Sequence, residues 1–220
     1  MSARFALVVF DLDGTLVDSR KDIADAANEL ILECGGARLS DEAIGRMVGE
    51  GAATLVARAF TAAGVPQPSD ALPRYLRLYD RRLLLHTRPY EGTETTLAAL
   101  QARFTLAVLT NKPIGATRQI LAGLDLARYF DDALVFGGDG PHARKPDPDG
   151  FFRVLAASGA TAGRALMVGD SVIDCRTSRA AGASACIARY GFGFQGFPTD
   201  ELGPRDLVID SPAELVDLLT

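Results

Sequence analysis

The chain has 220 residues, 48% of them hydrophobic and 23% charged, with a formal net charge of −5. That length can bury a good core in one large domain or two small ones, and the composition is that of an ordinary soluble globular protein. The acidic balance argues against nucleic-acid or membrane-surface partners, which call for a basic face, and no apolar run approaches the roughly 20 residues that span a bilayer.

The N-terminus, Met-Ser-Ala-Arg-Phe, runs into Asp11 too soon for a secretory signal. Cys34, Cys175 and Cys186 are widely spaced and form no CxxC pair, as expected of reduced thiols in a cytoplasmic protein. His86 and His142 are the only histidines, so a zinc site or a histidine-based mechanism is poorly supplied. Lysine is scarce too, with Lys21, Lys112 and Lys145 alone.

Leu7–Phe10 have the composition of a strand buried on both faces, and the run ends in Asp11-Leu12-Asp13-Gly14-Thr15. Ligands of open α/β sheets bind at the carboxyl ends of strands, and alternation sets Asp11 and Asp13 on one side. Two carboxylates so close repel unless a cation joins them or one takes a proton. Asp and Gly are also common turn residues, and this segment alone leaves both readings open.

Residues 16–34, 40–47, 52–63 and 71–85 carry helical spacing with no convincing strand between them. Gly35-Gly36, Gly49-Glu50-Gly51 and Gly64-Val65-Pro66 separate them, so 16–89 reads as a helical insertion with its own small core. Gly49, Glu50 and Gly51 form either a substrate-reading loop, where two glycines let backbone approach a ligand, or a plain connector. Arg74, Arg77 and Arg81 recur at i, i+3, i+7, which suits a solvated face paired with acids or a site for a substrate carboxylate.

Beyond residue 90, strand-like runs at 104–110, 133–136, 164–168, 184–188 and 207–209 alternate with helical patterns at 92–102, 113–123, 148–158 and 172–181. A last helix is expected over 212–219, with Pro212 in its first turn. This alternation predicts an α/β fold, a doubly wound parallel sheet made from 1–15 and 90–220.

Polar groups close these strands one after another. Thr110-Asn111-Lys112-Pro113 precedes a helix and offers an anion cradle or a helix cap. In Arg144-Lys145-Pro146-Asp147-Pro148 two prolines stiffen the backbone, and Lys145 is either a point charge for phosphate or a solvated loop lysine. Gly169-Asp170-Ser171 ends another strand, with Asp174 one helical turn later. Asp170 or Ser171 can cap that helix, but Mg²⁺ needs only one or two carboxylates, and Asp11 with Asp170 would meet that need.

The order Asp-x-Asp-Gly-Thr, Thr-Asn, Lys-Pro, Gly-Asp-x₃-Asp resembles the full motif set of the haloacid dehalogenase superfamily, across essentially the whole chain. The insert is similar to that superfamily's helical, C1-type cap. Arg88-Pro89-Tyr90-Glu91-Gly92, Gly137-Gly138-Asp139, the Thr110 and Arg144 segments and Gly49-Glu50-Gly51 resemble its phosphoglycolate phosphatase branch.

The resemblance implies Asp11 as the nucleophile that forms an aspartyl-phosphate, and Asp13 as the acid and then the base. It implies Mg²⁺ held by Asp11, the Asp13 carbonyl and Asp170, and phosphoryl oxygens held by Thr110, the Asn111 amide and Lys145. Asp174 would orient Lys145 or a metal-bound water, with Ser171 in support. The loop Gly49, Glu50 and Gly51 would select substrate, and hinges would fall near 16–18 and 87–89; no glycine follows Gly14 until Gly35, so the first hinge has none inside it.

The activity so implied is Mg²⁺-dependent hydrolysis of a small phosphate monoester, 2-phosphoglycolate first among them, in a protein with no nucleic-acid or membrane partner. A sugar phosphomutase keeps the same motifs and is the alternative. A dehalogenase would lack the acid at Asp13, and a phosphonoacetaldehyde hydrolase needs a cap lysine where the loop has Glu50. A non-catalytic binding module would have lost an acid, whereas Asp11, Asp13, Asp170 and Asp174 are all present. Oligomeric state is not legible in the chain.

Overall fold

The computed structural model describes residues 4–204 and 206–220. Residues 1–3, on which the non-secretory reading of the N-terminus partly rests and where the expected 1–15 segment begins, lie outside the described residues, as does position 205 of the 90–220 segment.

Strand β1 (Leu7–Phe10) is buried at every residue. Val8 and Phe10 pack into one apolar cluster and Leu7 and Val9 into another, so each face of the strand meets its own layer of helices. A strand covered on both faces gains nothing from polar alternation, which is why the run is apolar throughout.

The short strand β2 (Val17–Asp18) follows, then helices α1 (Arg20–Glu33), α2 (Asp41–Gly45), α3 (Ala52–Ala63) and α4 (Ala71–Asp80), and strand β3 (Arg88–Pro89). After them come α5 (Thr93–Gln101), β4 (Thr105–Leu109), α6 (Ile114–Gly123), β5 (Val135–Phe136) and α7 (Asp149–Ser158). The chain closes with β6 (Ala165–Gly169), α8 (Val172–Ala180), β7 (Ser184–Ala188), β8 (Leu207–Ile209) and α9 (Glu214–Leu219).

Six strands form one parallel sheet in the order β5-β4-β1-β6-β7-β8. Leu97, Leu100, Ile120, Leu121 and Leu215 bring α5, α6 and α9 onto one face, and Phe151, Val154 and Leu155 bring α7 onto the other. The sheet is therefore doubly wound, as the alternation predicts. From β1 the chain builds outward through β4 and β5, then crosses back to place β6 on the other side of β1. Such a switch point opens a crevice at the strands' carboxyl ends.

Register decides what meets there. Phe10 is level with both Val108 and Val168, so β4, β1 and β6 end together and deliver Thr110, Asp11 and Asp170 to one edge. The Asp11 amide still donates to the Val168 carbonyl at 2.9 Å, continuing the ladder and holding the residue's backbone in line.

The insert departs from its expected pattern at both ends. Residues 17–18 are extended and not helical, because Val17 and Asp18 pair antiparallel with Pro89 and Arg88. At the far end α4 stops at Asp80 instead of continuing to residue 85. Residues 81–85 continue as turns, and beyond them the fully buried Asp22 carboxylate accepts from His86 N at 2.9 Å, Thr87 N at 2.8 Å and Thr87 Oγ1 at 2.8 Å. The amides of 86 and 87 are thus satisfied by a carboxylate of α1 and fix the return crossing there. The closing helix also starts later than expected, at Glu214, with Pro212 before it.

Candidate active site

Asp11, Asp170 and Asp174 are all buried, and each offers a carboxylate oxygen within 4.8 Å of the others. Lys145 joins them from the loop before α7, its Nζ 2.9 Å from Asp11 Oδ1 and 2.6 Å from Asp174 Oδ1. The other oxygen of Asp174 accepts from Ser171 N at 3.1 Å and Ser171 Oγ at 2.7 Å, so this carboxylate is fully engaged by protein donors. Asp170 Oδ2 accepts from Gly193 N at 2.7 Å. Asp11 Oδ1 is different: Lys145 pairs with it by charge, but it receives no well-aligned hydrogen bond.

Two glycines make this crowding feasible. Gly14 has φ +85°, and a Cβ there would lie 1.8 Å from Asp170 Oδ2. At Gly169 a Cβ would lie 2.2 Å from the Asp174 carboxyl carbon. The glycine of the first motif thus clears space for the acid of the last, besides taking a left-handed turn.

Asp13 sits beside this cluster in a network of its own. Ser19 Oγ donates to Asp13 Oδ1 at 2.5 Å, and Lys112 Nζ donates to both carboxylate oxygens, at 2.9 and 2.7 Å. The same ammonium lies 4.6 Å from the centre of the Tyr79 ring on α4. Tyr79 in turn stacks on Tyr75 at 5.9 Å.

The Asn111 side chain is a clasp. Its Nδ2 donates to the carbonyls of Gly49 and Lys145, both at 2.8 Å, and its Oδ1 accepts from Lys145 N at 2.9 Å. It therefore fixes the lysine loop and ties the insert's glycine loop to the sheet. The Thr110 hydroxyl accepts from Lys112 N at 3.3 Å, which leaves its proton to give.

A cavity of about 400 Å³ opens over these groups. Asp11, Asp13, Thr110, Asn111, Lys112 and Asp170 line its sheet side, and Leu55, Tyr75 and Tyr79 of the insert line the opposite wall. Lys145 and Asp174 are not among the lining residues, but the Lys145 ammonium lies 2.9 Å from Asp11, which is one of them. Among the described residues no helix is long and apolar enough to cross a membrane.

Burial dominates the electrostatics. It raises the Asp11 carboxyl to about 6, against the opposing pull of Lys145. Asp170 is pushed well above the ordinary carboxylate range, first by burial and then by Asp174 and Asp11. Burial by itself would lower Lys145, but Asp11 and Asp174 outweigh it and hold the ammonium charged. Three buried acids against one lysine leave negative charge uncompensated, the condition under which a site takes up a cation or protons. Asp11 and Asp170, both lining the cavity with carboxylate oxygens close together, make an all-oxygen donor pair suited to a hard divalent metal.

Of the residues singled out by sequence, Asp11, Asp13, Thr110, Asn111, Asp170, Ser171, Gly49 and Gly51 line one cavity, with Lys145 and Asp174 beside Asp11. Glu50 does not join them. Its carboxylate lies at the surface, 2.5 Å from Arg58 Nη2, because the loop turns its two glycines inward. Arg74 pairs with Glu33 at 2.7 Å and Arg81 with Glu29 at 3.5 Å, as a solvated face would. Arg77 lines the cavity as an exposed residue. Sequence reasoning quoted Lys112 within Thr110-Asn111-Lys112-Pro113 without giving it a role of its own, and it passed over Ser19, Tyr79 and Asp22; of these three only Asp22 leaves a signal, an acid on the apolar stripe it shares with Ala26 and Leu30.

The sequence model of the haloacid dehalogenase-like hydrolases matches residues 5–182, and the chain belongs to that family. Within the family it is similar to phosphoglycolate phosphatases. It is 43% identical to that of Rhodospirillum rubrum over 96% of this chain and 90% of the relative, and 37% identical to that of Nitrosospira multiformis over 96% and 94%. The crystal structure of a predicted phosphoglycolate phosphatase from Haemophilus somnus 129PT superposes with a TM-score of 0.91, at 27% identity and with both chains covered completely.

Proposed function

We propose that the protein is a Mg²⁺-dependent phosphatase of a small phosphate monoester, 2-phosphoglycolate foremost, working through an aspartyl-phosphate on Asp11. The observation that carries this reading is the placing of Asp11: buried, at the end of β1, on the floor of the cavity and charge-paired with Lys145 at 2.9 Å. An Asp11 oxygen attacks phosphorus, and the bond from phosphorus to the ester oxygen breaks. Asp13 gives its proton to the departing oxygen, then takes one from the water that attacks the aspartyl-phosphate, so phosphate leaves and Asp11 is restored.

Lys145 has three donors, two of them facing Asp11 and Asp174, and the third is available to a phosphoryl oxygen. Thr110 gives its hydroxyl proton and Asn111 its backbone N–H, since the Asn111 side chain is fully engaged. Mg²⁺ bound by Asp11, Asp170 and the Asp13 carbonyl would neutralise the clustered acids and offset the repulsion between nucleophile and phosphate.

Residues 16–89 act as a cap over the 1–15 and 90–220 core, with Gly49 and Gly51 against the substrate. The paired crossings at 17–18 and 88–89 are the hinge, on which the cap opens to admit substrate and release product. The test is phosphate release from 2-phosphoglycolate with and without Mg²⁺, on wild type and Asp11→Asn. Turnover should require the metal and vanish in the variant while its melting temperature is kept. An Asp11→Asn protein with wild-type turnover would overturn the assignment.

A further inference from the structure

The cavity presents two cationic side chains among the described residues, Lys112 and Arg77. Arg77 is exposed and also borders an outer groove with Glu33 and Arg74. Lys112 is buried and bonded to both oxygens of Asp13, at 2.9 and 2.7 Å. Its ammonium lies against the face of Tyr79, 4.6 Å from the ring centre, where the ring attracts the charge and limits access of water. A lysine held so, on the floor of a binding cavity, is a built site for an anionic group.

The chemistry of the ester says which group. If Asp13 is the acid, it must touch the departing ester oxygen. In 2-phosphoglycolate a single methylene separates that oxygen from the carboxylate. A cation bonded to Asp13 is therefore within reach of the carboxylate, and its three donors can serve both acids.

We propose that Lys112 selects esters whose carboxylate lies one carbon from the ester oxygen, its ammonium bridging that carboxylate and Asp13. Tyr79 holds the ammonium in place from the insert, so the carboxylate pocket is completed by both parts of the chain. The proposal rests on the phosphatase reading above. Lys145 is committed to Asp11, Asp174 and the phosphoryl group, and Glu50 faces solvent, so neither makes this contact.

The test compares 2-phosphoglycolate with ethyl phosphate, the same ester with a methyl in place of the carboxylate, on wild type, Lys112→Gln and Lys112→Met. The ratio of kcat/KM for the two esters should fall by about 10- to 100-fold in both variants, the worth of a charge-assisted hydrogen bond. A ratio is blind to any fraction of misfolded protein. Should a variant lose turnover, the ratio of Kd values for the two esters, measured in an Asp11→Asn background with and without Lys112→Gln, should fall likewise. A ratio unchanged while both rates drop together overturns the proposal and leaves Lys112 a partner of Asp13 alone. Wild type inactive on both esters would instead overturn the phosphatase reading.

Discussion

Asp22 offers a test of the fold that is independent of any catalytic assignment. Its carboxylate is fully buried on α1 and is the acceptor for His86 N, Thr87 N and Thr87 Oγ1, which belong to the return crossing from the insert. In Asp22→Ala the exposed His86 regains water for its amide, but buried Thr87 keeps two donors without an acceptor. Each such donor costs about 1–3 kcal/mol. Part of that is returned because a buried charge is removed, along with its second oxygen, which has no hydrogen-bond partner. The expected net loss is about 3 kcal/mol, or about 6–12 °C in Tm for a chain of this size. Asp22→Asn keeps an oxygen facing the same three donors and loses only the charge assistance, about 1 kcal/mol. Urea unfolding and thermal melts of the three proteins decide it. If Asp22→Ala loses under about 1 kcal/mol, or if the two variants fall equally, the accounting of buried donors is wrong.

Asp11 and Asp170 both bind protons more tightly in the folded chain than their ordinary values, Asp11 rising from 3.8 to about 6. Without divalent metal, stability should therefore fall as pH climbs through that window and stay reduced above it. In chelator at neutral pH, Asp170→Asn should melt above wild type, and Mg²⁺ should raise only the wild type; equal responses to Mg²⁺ would remove Asp170 from the metal site. Asn111→Asp turns a double donor into an acceptor facing the Gly49 and Lys145 carbonyls, with an expected loss of about 2–4 kcal/mol and a sharp fall in phosphate release. A variant that keeps both stability and rate would show that the clasp is dispensable. Glu50→Ala removes only an exposed ion pair and should change stability by under about 0.5 kcal/mol and kcat/KM by less than about twofold. A larger drop in kcat/KM would put Glu50 back among the substrate contacts.

The apolar run of β1 and the acids after it are legible in the chain because local rules produce them. A strand covered on both faces must be apolar, and whatever follows it emerges at the sheet's edge. The later strands repeat that logic, so Thr110 and Asp170 declare themselves by position. The crossings at 17–18 and 88–89 do not, since two paired residues are too few to show a period. The anchoring of the return crossing is equally silent, because the carboxylate that holds Thr87 lies 65 residues away.

The chain taken alone thus determines the sheet, the run of helices between its first two strands and the placing of Asp11, Thr110 and Asp170 at strand ends, since each follows from burial and the alternation of elements. Only the tertiary structure decides how those groups are employed. It engages the Asn111 side chain in tying Lys145 to Gly49, closes Asp174 off with Ser171, turns Glu50 to solvent and lays Lys112 between Asp13 and Tyr79. Those pairings cross up to 99 residues of sequence, and a contact between distant segments leaves no local pattern to read.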